Sequence, residues 1–238
     1  MGFTYTYLQR QFEEVIRNGY SVIACADYLE WKKQGKKKKV LVNRVDVDFS
    51  VKKADRLCNI FNDLNIKATF FIRLHAPEYN PFSFENYKII KNIINSGHEV
   101  GYHSEVIDQS IIWDEKAEQC LLRDIDIINT MFGIHIKGVA SHGGMTGLNN
   151  LDFWKNKKPT EFNLLYEGYD KEPAFNLFHE SFYVSDSEWI RWKCYDNGKL
   201  VENDQRSLGE HSAEHYPVIY SLIHSDTYYN YHFYEDEK

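Results

Sequence analysis

The sequence predicts an α/β fold built on a parallel sheet, either open or closed into a barrel. Two observations carry that prediction: strand-like and helix-like runs alternate through most of the chain, and no internal repeat, low-complexity tract or Pro/Gly/Ser linker interrupts them. A chain of 238 residues, 43% hydrophobic, suits one large domain or two small ones. With no boundary to divide it, residues 1–238 read as a single domain.

The elements follow in order. "KVLVNRVDVDF" (39–49) is β-branched and alternating, hence a strand. "ADRLCNIFNDLNI" (54–66) puts Leu57, Cys58, Phe61 and Leu64 on one helical face. "KATFFIRL" (67–74) is a short buried strand, and "SFENYKIIKNIINSG" (83–97) is a helix with a Ser cap and a Gly stop. In "GHEVGYHSEVIDQS" the stretch 98–105 reads as a strand with His98, Val100 and Tyr102 on one side and Glu99, Gly101, His103 and Glu105 on the other. "DEKAEQCLLRDIDIINTMFG" (114–133) is a helix burying Ala117, Leu121, Ile125, Ile128 and Phe132. "IHIKGVAS" (134–141) and "YPVIYSLIH" (216–224) complete the strands.

In folds of this kind chemistry gathers where strands end at the C-terminal edge of the sheet. Asp46 and Asp48 are two apart, so they share a face, with Val45, Val47 and Phe49 opposite. Neighbouring carboxylates repel unless a cation or a shared proton relieves them, which suits one as a ligand and the other as a general base. His103, His142 (in "ASHGG") and His224 (in "LIHSD") stand at three further strand ends. Asp plus His ligation with open positions suits zinc or another divalent transition metal. His75, His135, His179, His211 and His215 read as ordinary core or surface residues, and His98 as structural. A Ser–His–Asp hydrolase using Ser141 or Ser225 lacks a GxSxG elbow.

Composition excludes other classes. The net charge of -7 gives no electrostatic pull toward nucleic acid, and Lys36–Lys39 read as a solvated approach to a strand. No window approaches the roughly 20 apolar residues of a membrane span, and no early stretch resembles a signal peptide. "MGFTYT" matches a myristoylation start only superficially. The 4 cysteines lack zinc-finger or CxxC spacing and read as free thiols, so a cytoplasmic protein is expected. Aromatic residues reach 16%, a richness that serves cores and carbohydrate clefts alike.

The order "VDVD", "IKATFFI", "SGHEVGYHSE" and "LIH" resembles the polysaccharide deacetylase (NodB-like, carbohydrate esterase family 4) superfamily. "YVSDSEWIRW" and "HSDTYY" resemble a divergent subset encoded among surface-polysaccharide biosynthesis genes. The resemblance implies a distorted (β/α) barrel and metal-dependent removal of an N-acetyl group from a sugar, sugar nucleotide or glycan. Carried over by motif, Asp46 is the catalytic base and His224 the acid that protonates the leaving amine, while Asp48 and His103 bind the metal. The chain departs from the pattern at two places. Ile107 stands where the family's His-[Ser/Thr]-x-x-His motif has its second histidine, and the Arg-Pro-Pro stretch is missing. His142 is the expected third ligand, with Glu105 or Asp108 as alternatives. Asp186, with Arg191 and Trp189 beside it, is expected at the rim as a substrate contact. The competing reading is a catalytically silent deacetylase-like binding or scaffold protein of the same pathway.

Overall fold

The computed structural model describes residues 2–35, 38–187, 189–232 and 234–235. Lys36 and Lys37 of the basic cluster lie outside the described residues, and Lys39 packs its ammonium 4.8 Å from the Tyr20 ring centre.

The chain opens with α1 (Tyr5–Arg17), β1 (Ser21–Ile23) and α2 (Cys25–Lys33), then the central strand β2 (Val40–Val47). Three strand–helix steps follow: α3 (Val51–Asp63), β3 (Thr69–Ile72), α4 (Phe84–Asn95), β4 (Glu99–Ser104), α5 (Val106–Trp113), α6 (Ala117–Phe132) and β5 (Gly138–Ser141). Beyond two 3-10 turns come β6 (Tyr166–Glu167), α7 (Leu177–Glu180), β7 (Phe182–Ser185), β8 (Lys193–Asp196), β9 (Lys199–Leu200), α8 (Leu208–Ser212) and β10 (Val218–His224). Local chemistry sets the helix ends. Ser83 caps α4 by accepting from Asn86 N at 3.3 Å, and Gly133 closes α6 in the left-handed region at φ 63°.

The strands lie in the order β6-β5-β4-β3-β2-β10-β7-β8-β9, with β1 also pairing with β2. From β6 to β7 every pairing is parallel; β8 and β9 extend that edge antiparallel. The two edges of the parallel part, β6 and β7, are bridged by side chains, with Tyr169 Oη 3.1 Å from Tyr183 Oη. The result is a distorted barrel whose wall has one seam sealed by aromatic rings.

The alternation on β2 separates two cores. Val40 and Val42 face the barrel interior with Phe71, Tyr166, Tyr183 and Tyr220, while Leu41, Val45 and Val47 pack under the helices. Several expected boundaries shift. Residues 106–113, left unassigned between strand and helix, form α5, and the following helix starts at Ala117 rather than 114. The strand expected over 134–141 is only Gly138–Ser141, because Ile136 N turns instead to the Asn129 side chain at 2.8 Å. Phe49 lies beyond the end of β2 and is 36% exposed.

Candidate metal centre and catalytic residues

Sheet register brings the strand-end residues together. His224 pairs with Asp46 across β10 and β2, and His103 pairs with Ala140 across β4 and β5. One step past β5, His142 donates its backbone N–H to Ser104 O at 2.9 Å. The backbones of Asp46, His103, His142 and His224 are thus held by the sheet.

Asp48, His103 and His142 form a group whose ligand-type atoms all lie within 4.8 Å of one another. His103 Nε2 is 3.2 Å from Asp48 Oδ1 and 3.3 Å from Asp46 Oδ2, and His142 Nε2 is 4.0 Å from Asp48 Oδ1. His103 Nδ1 sits 2.8 Å from Ala140 O, which assigns the proton to that nitrogen. A neutral ring held so turns the Nε2 lone pair toward two carboxylate oxygens, an arrangement that repels itself without a cation or a proton between. Asp48 Oδ1 is buried without a hydrogen-bond partner. The chemistry of these residues fits a divalent cation, which Asp48, His103 and His142 could hold.

The other two candidate ligands hold partners of their own, although Glu105 Oε2 is buried without a hydrogen-bond partner. Glu105 Oε1 accepts from Arg73 Nη2 at 2.7 Å and from Nε at 3.2 Å. Asp108 holds the loop after β5, accepting from Met145 N, Thr146 N, Thr146 Oγ1 and Asn150 Nδ2 at 2.7–3.1 Å. Ile107 packs against the core under the helices.

Asp46 is 2% exposed and clamped by Arg44, whose Nε and Nη2 reach its two oxygens at 2.8 and 2.7 Å. Burial alone would raise the carboxyl, but Arg44, with His103 and His224, holds it below the usual range. Arg44 is itself stacked against Tyr169, 4.7 Å from the ring centre. Burial likewise opposes the charge on Asp48, and the histidines around it outweigh that and keep it ionised.

His224 carries the opposite poise. Burial lowers its pKa, but Asp186, hydrogen-bonded to the ring, and then Asp46 and Asp48 push it up to about 9. Asp186 thus favours the imidazolium form of His224 at neutral pH. Here the structure corrects an expectation. Asp186 does not line the rim: it is 0% exposed, lies 2.6 Å from His224 Nδ1, and accepts from His224 N with both oxygens at 3.0 Å. The parallel register of β7 on β10 puts Ser185 beside Leu222, so the next residue meets the end of β10 and the carboxylate goes to the histidine. Arg191 is exposed past the end of β7, and nearby Trp189 meets the Phe49 ring edge-on at 5.9 Å, beside Asp48.

Arg44, Arg73 and the partnership of Asp186 with His224 were missed from sequence. Arg44 left a signal: it is two residues before Asp46 on a strand, hence on the same face. Arg73 left none, because its partners are Asp48, just past β2, and Glu105, just before α5. A second ligand-type group, Cys194, Asp204 and His211, lies far along the chain, but Arg206 grips Asp204 at 2.7 and 3.1 Å. A cleft of about 570 Å³ lies beside the barrel, with Trp154, Tyr169 and Glu167 among its walls. Among the described residues no helix is long and apolar enough to cross a membrane.

No protein-family model and no curated protein matches the sequence. Among solved structures the chain is similar to a CE4 esterase from Streptococcus mutans, at 12% identity over 87% of this chain and 80% of that one, with a TM-score of 0.51. It also matches a CE4 family pseudoenzyme from Bacillus anthracis (16% identity, 81% of this chain and 58% of that one, TM-score 0.45). A mutant of that pseudoenzyme with restored enzymatic activity matches at 15% identity, 81% and 60% coverage and a TM-score of 0.46. The chain therefore spans about three fifths of the length of those last two structures. The fold of this chain is that of the CE4 esterases, the polysaccharide deacetylase superfamily its motifs resemble.

Proposed function

We propose that the chain is a metal-dependent carbohydrate deacetylase, an amide hydrolase that removes an N-acetyl group from a sugar, sugar nucleotide or glycan in cytoplasmic steps of surface-polysaccharide biosynthesis. The observation that carries the reading is a pair of oppositely poised groups flanking one ligand set. Asp46 is held ionised by Arg44, and His224 is held protonated by Asp186, with Asp48, His103 and His142 between them.

A divalent ion, most simply zinc, supplies Lewis acidity for the acetyl carbonyl and for water when bound by these three residues. Asp46 takes the proton of the attacking water. His224, with Nδ1 committed to Asp186, offers Nε2–H to the amide nitrogen as the C–N bond breaks, so that acetate and a free amine leave. Arg191 and Trp189 are proposed to contact the sugar at the mouth, Trp189 through its ring face. Four buried free cysteines support a reducing compartment.

The silent-scaffold reading draws on Ile107 in place of a histidine, and His142 Nε2 beside Asp48 answers that loss. The test is acetate release from N-acetylglucosamine oligomers and UDP-N-acetylglucosamine by zinc-loaded protein, with Asp46→Asn and His224→Gln as controls. Release abolished by both substitutions supports the reading. Zinc-loaded parent that releases no acetate from any N-acetylated sugar, while binding glycans, favours the scaffold.

A further inference from the structure

We infer that Glu105 is a positioning residue that, braced by Arg73, orients His142 as the third ligand. The inference rests on the metal reading above and deepens it.

The backbone of His142 is well held. Its N–H goes to Ser104 O, and its carbonyl accepts from Asn150 Nδ2 at 3.2 Å. The ring is another matter. Gly143 and Gly144 follow it, and its side chain is 19% exposed. Nothing in the ladder chooses which nitrogen faces Asp48.

Glu105 makes that choice. Its Oε1 is 3.3 Å from His142 Nδ1, a buried nitrogen with no hydrogen-bond partner, so this carboxylate is the charged group set to receive its proton. A carboxylate on Nδ1 fixes the proton there and leaves Nε2 free as the ligand atom, 4.0 Å from Asp48 Oδ1. Glu105 is in turn fixed by Arg73, which is 2% exposed and also donates from Nη1 to Asp48 O at 3.0 Å. One guanidinium thus ties the carboxylate that aims His142 to the backbone of the ligand Asp48. Glu105 is outside the group of ligand atoms that lie within 4.8 Å of one another, so it acts through His142 and not on the ion.

The sequence shows why this chain needs such a brace. A second histidine at 107 would sit on α5 and be aimed by the helix backbone; that position is Ile107. A histidine from a loop after β5 needs a side chain to aim it instead.

The test is a double-mutant cycle on zinc affinity, measured by competition with a chromophoric chelator. The four proteins are the parent, Glu105→Gln, His142→Ala and the double variant. Gln keeps an acceptor for Arg73, and Glu105→Asp serves the same cycle should Glu105→Gln not fold. Glu105→Gln weakens zinc binding about 10–100-fold in the parent. In the His142→Ala background it has no further effect, because the group it acts through is gone. The cobalt absorption spectrum of Glu105→Gln shifts toward that of His142→Ala. Equal losses from Glu105→Gln in both backgrounds overturn the inference, and so does a Glu105→Gln protein that binds zinc like the parent. A parent that binds no zinc overturns the metal reading itself, a result distinct from either.

Discussion

Replacing Asp186 with Asn removes the charge that holds His224 protonated while keeping an oxygen to accept from the ring. His224 rises from 6.5 to about 9, against the opposing effect of burial, with Asp186 the largest raising influence. At about 1.4 kcal/mol per pH unit, the folded state gains roughly 3 kcal/mol from proton binding to His224. Asp46 and Asp48 share in that gain, so Asp186→Asn removes about 2 kcal/mol of it. The sign follows from linkage. A raised pKa contributes fully below the unfolded value of 6.5 and is lost as pH climbs through about 9. Urea unfolding of chelator-treated parent and variant at several pH values measures the gap. It should be about 2 kcal/mol near pH 6 and close above about pH 9.5. An NMR titration of the His224 ring in the same samples should find the variant titrating well below the parent. A stability gap independent of pH, or a parent His224 titrating near 6.5, would refute the proton-donor assignment.

Three further outcomes are expected. Arg44→Met strands the Asp46 carboxylate in the barrel interior and should cost about 3–5 kcal/mol in urea unfolding, against less than 1 for a surface arginine such as Arg10. Zinc affinity should fall steadily as pH drops from 8 to 6: burial lowers the His103 pKa, but Asp46 and Asp48 raise it above the ordinary value, so protons compete for Nε2. An affinity flat over that range in chelator competition counts against His103 as a ligand. Gly101→Ala should destabilise by about 1–3 kcal/mol, read from thermal unfolding, because its Cβ would meet the Phe71 ring at 2.5 Å and Gly138 O at 2.9 Å inside the barrel.

The parallel sheet and most of the site were legible because strand alternation and strand-end position obey local rules. Asp46, Asp48, His103, His142 and His224 could each be assigned to one edge from the period of two and the order of strands. Asp186 could not be placed correctly. Its partner depends on the register of β7 against β10, two segments far apart in the chain, and a one-residue change of register would have sent it elsewhere. Arg73 and its grip on Glu105, a residue read only as an alternative ligand, were hidden for the same reason, since an ion pair between strand ends leaves no periodic trace. The helix α1 was readable in principle from Leu8, Phe12 and Val15, all buried at helical spacing. The short strands β6 and β9 were not, because two residues carry no period.

Whether Asp48, His103 and His142 hold zinc is decided by an anomalous difference map, collected at the zinc absorption edge from crystals grown with zinc and without chelator. The expected result is a peak bonded by Asp48, His103 Nε2 and His142 Nε2 at about 2.0–2.2 Å, with Asp46 and His224 on its flanks. Bound zinc whose protein ligands include Glu105 in place of His142, or no peak at this edge of the barrel, would contradict it.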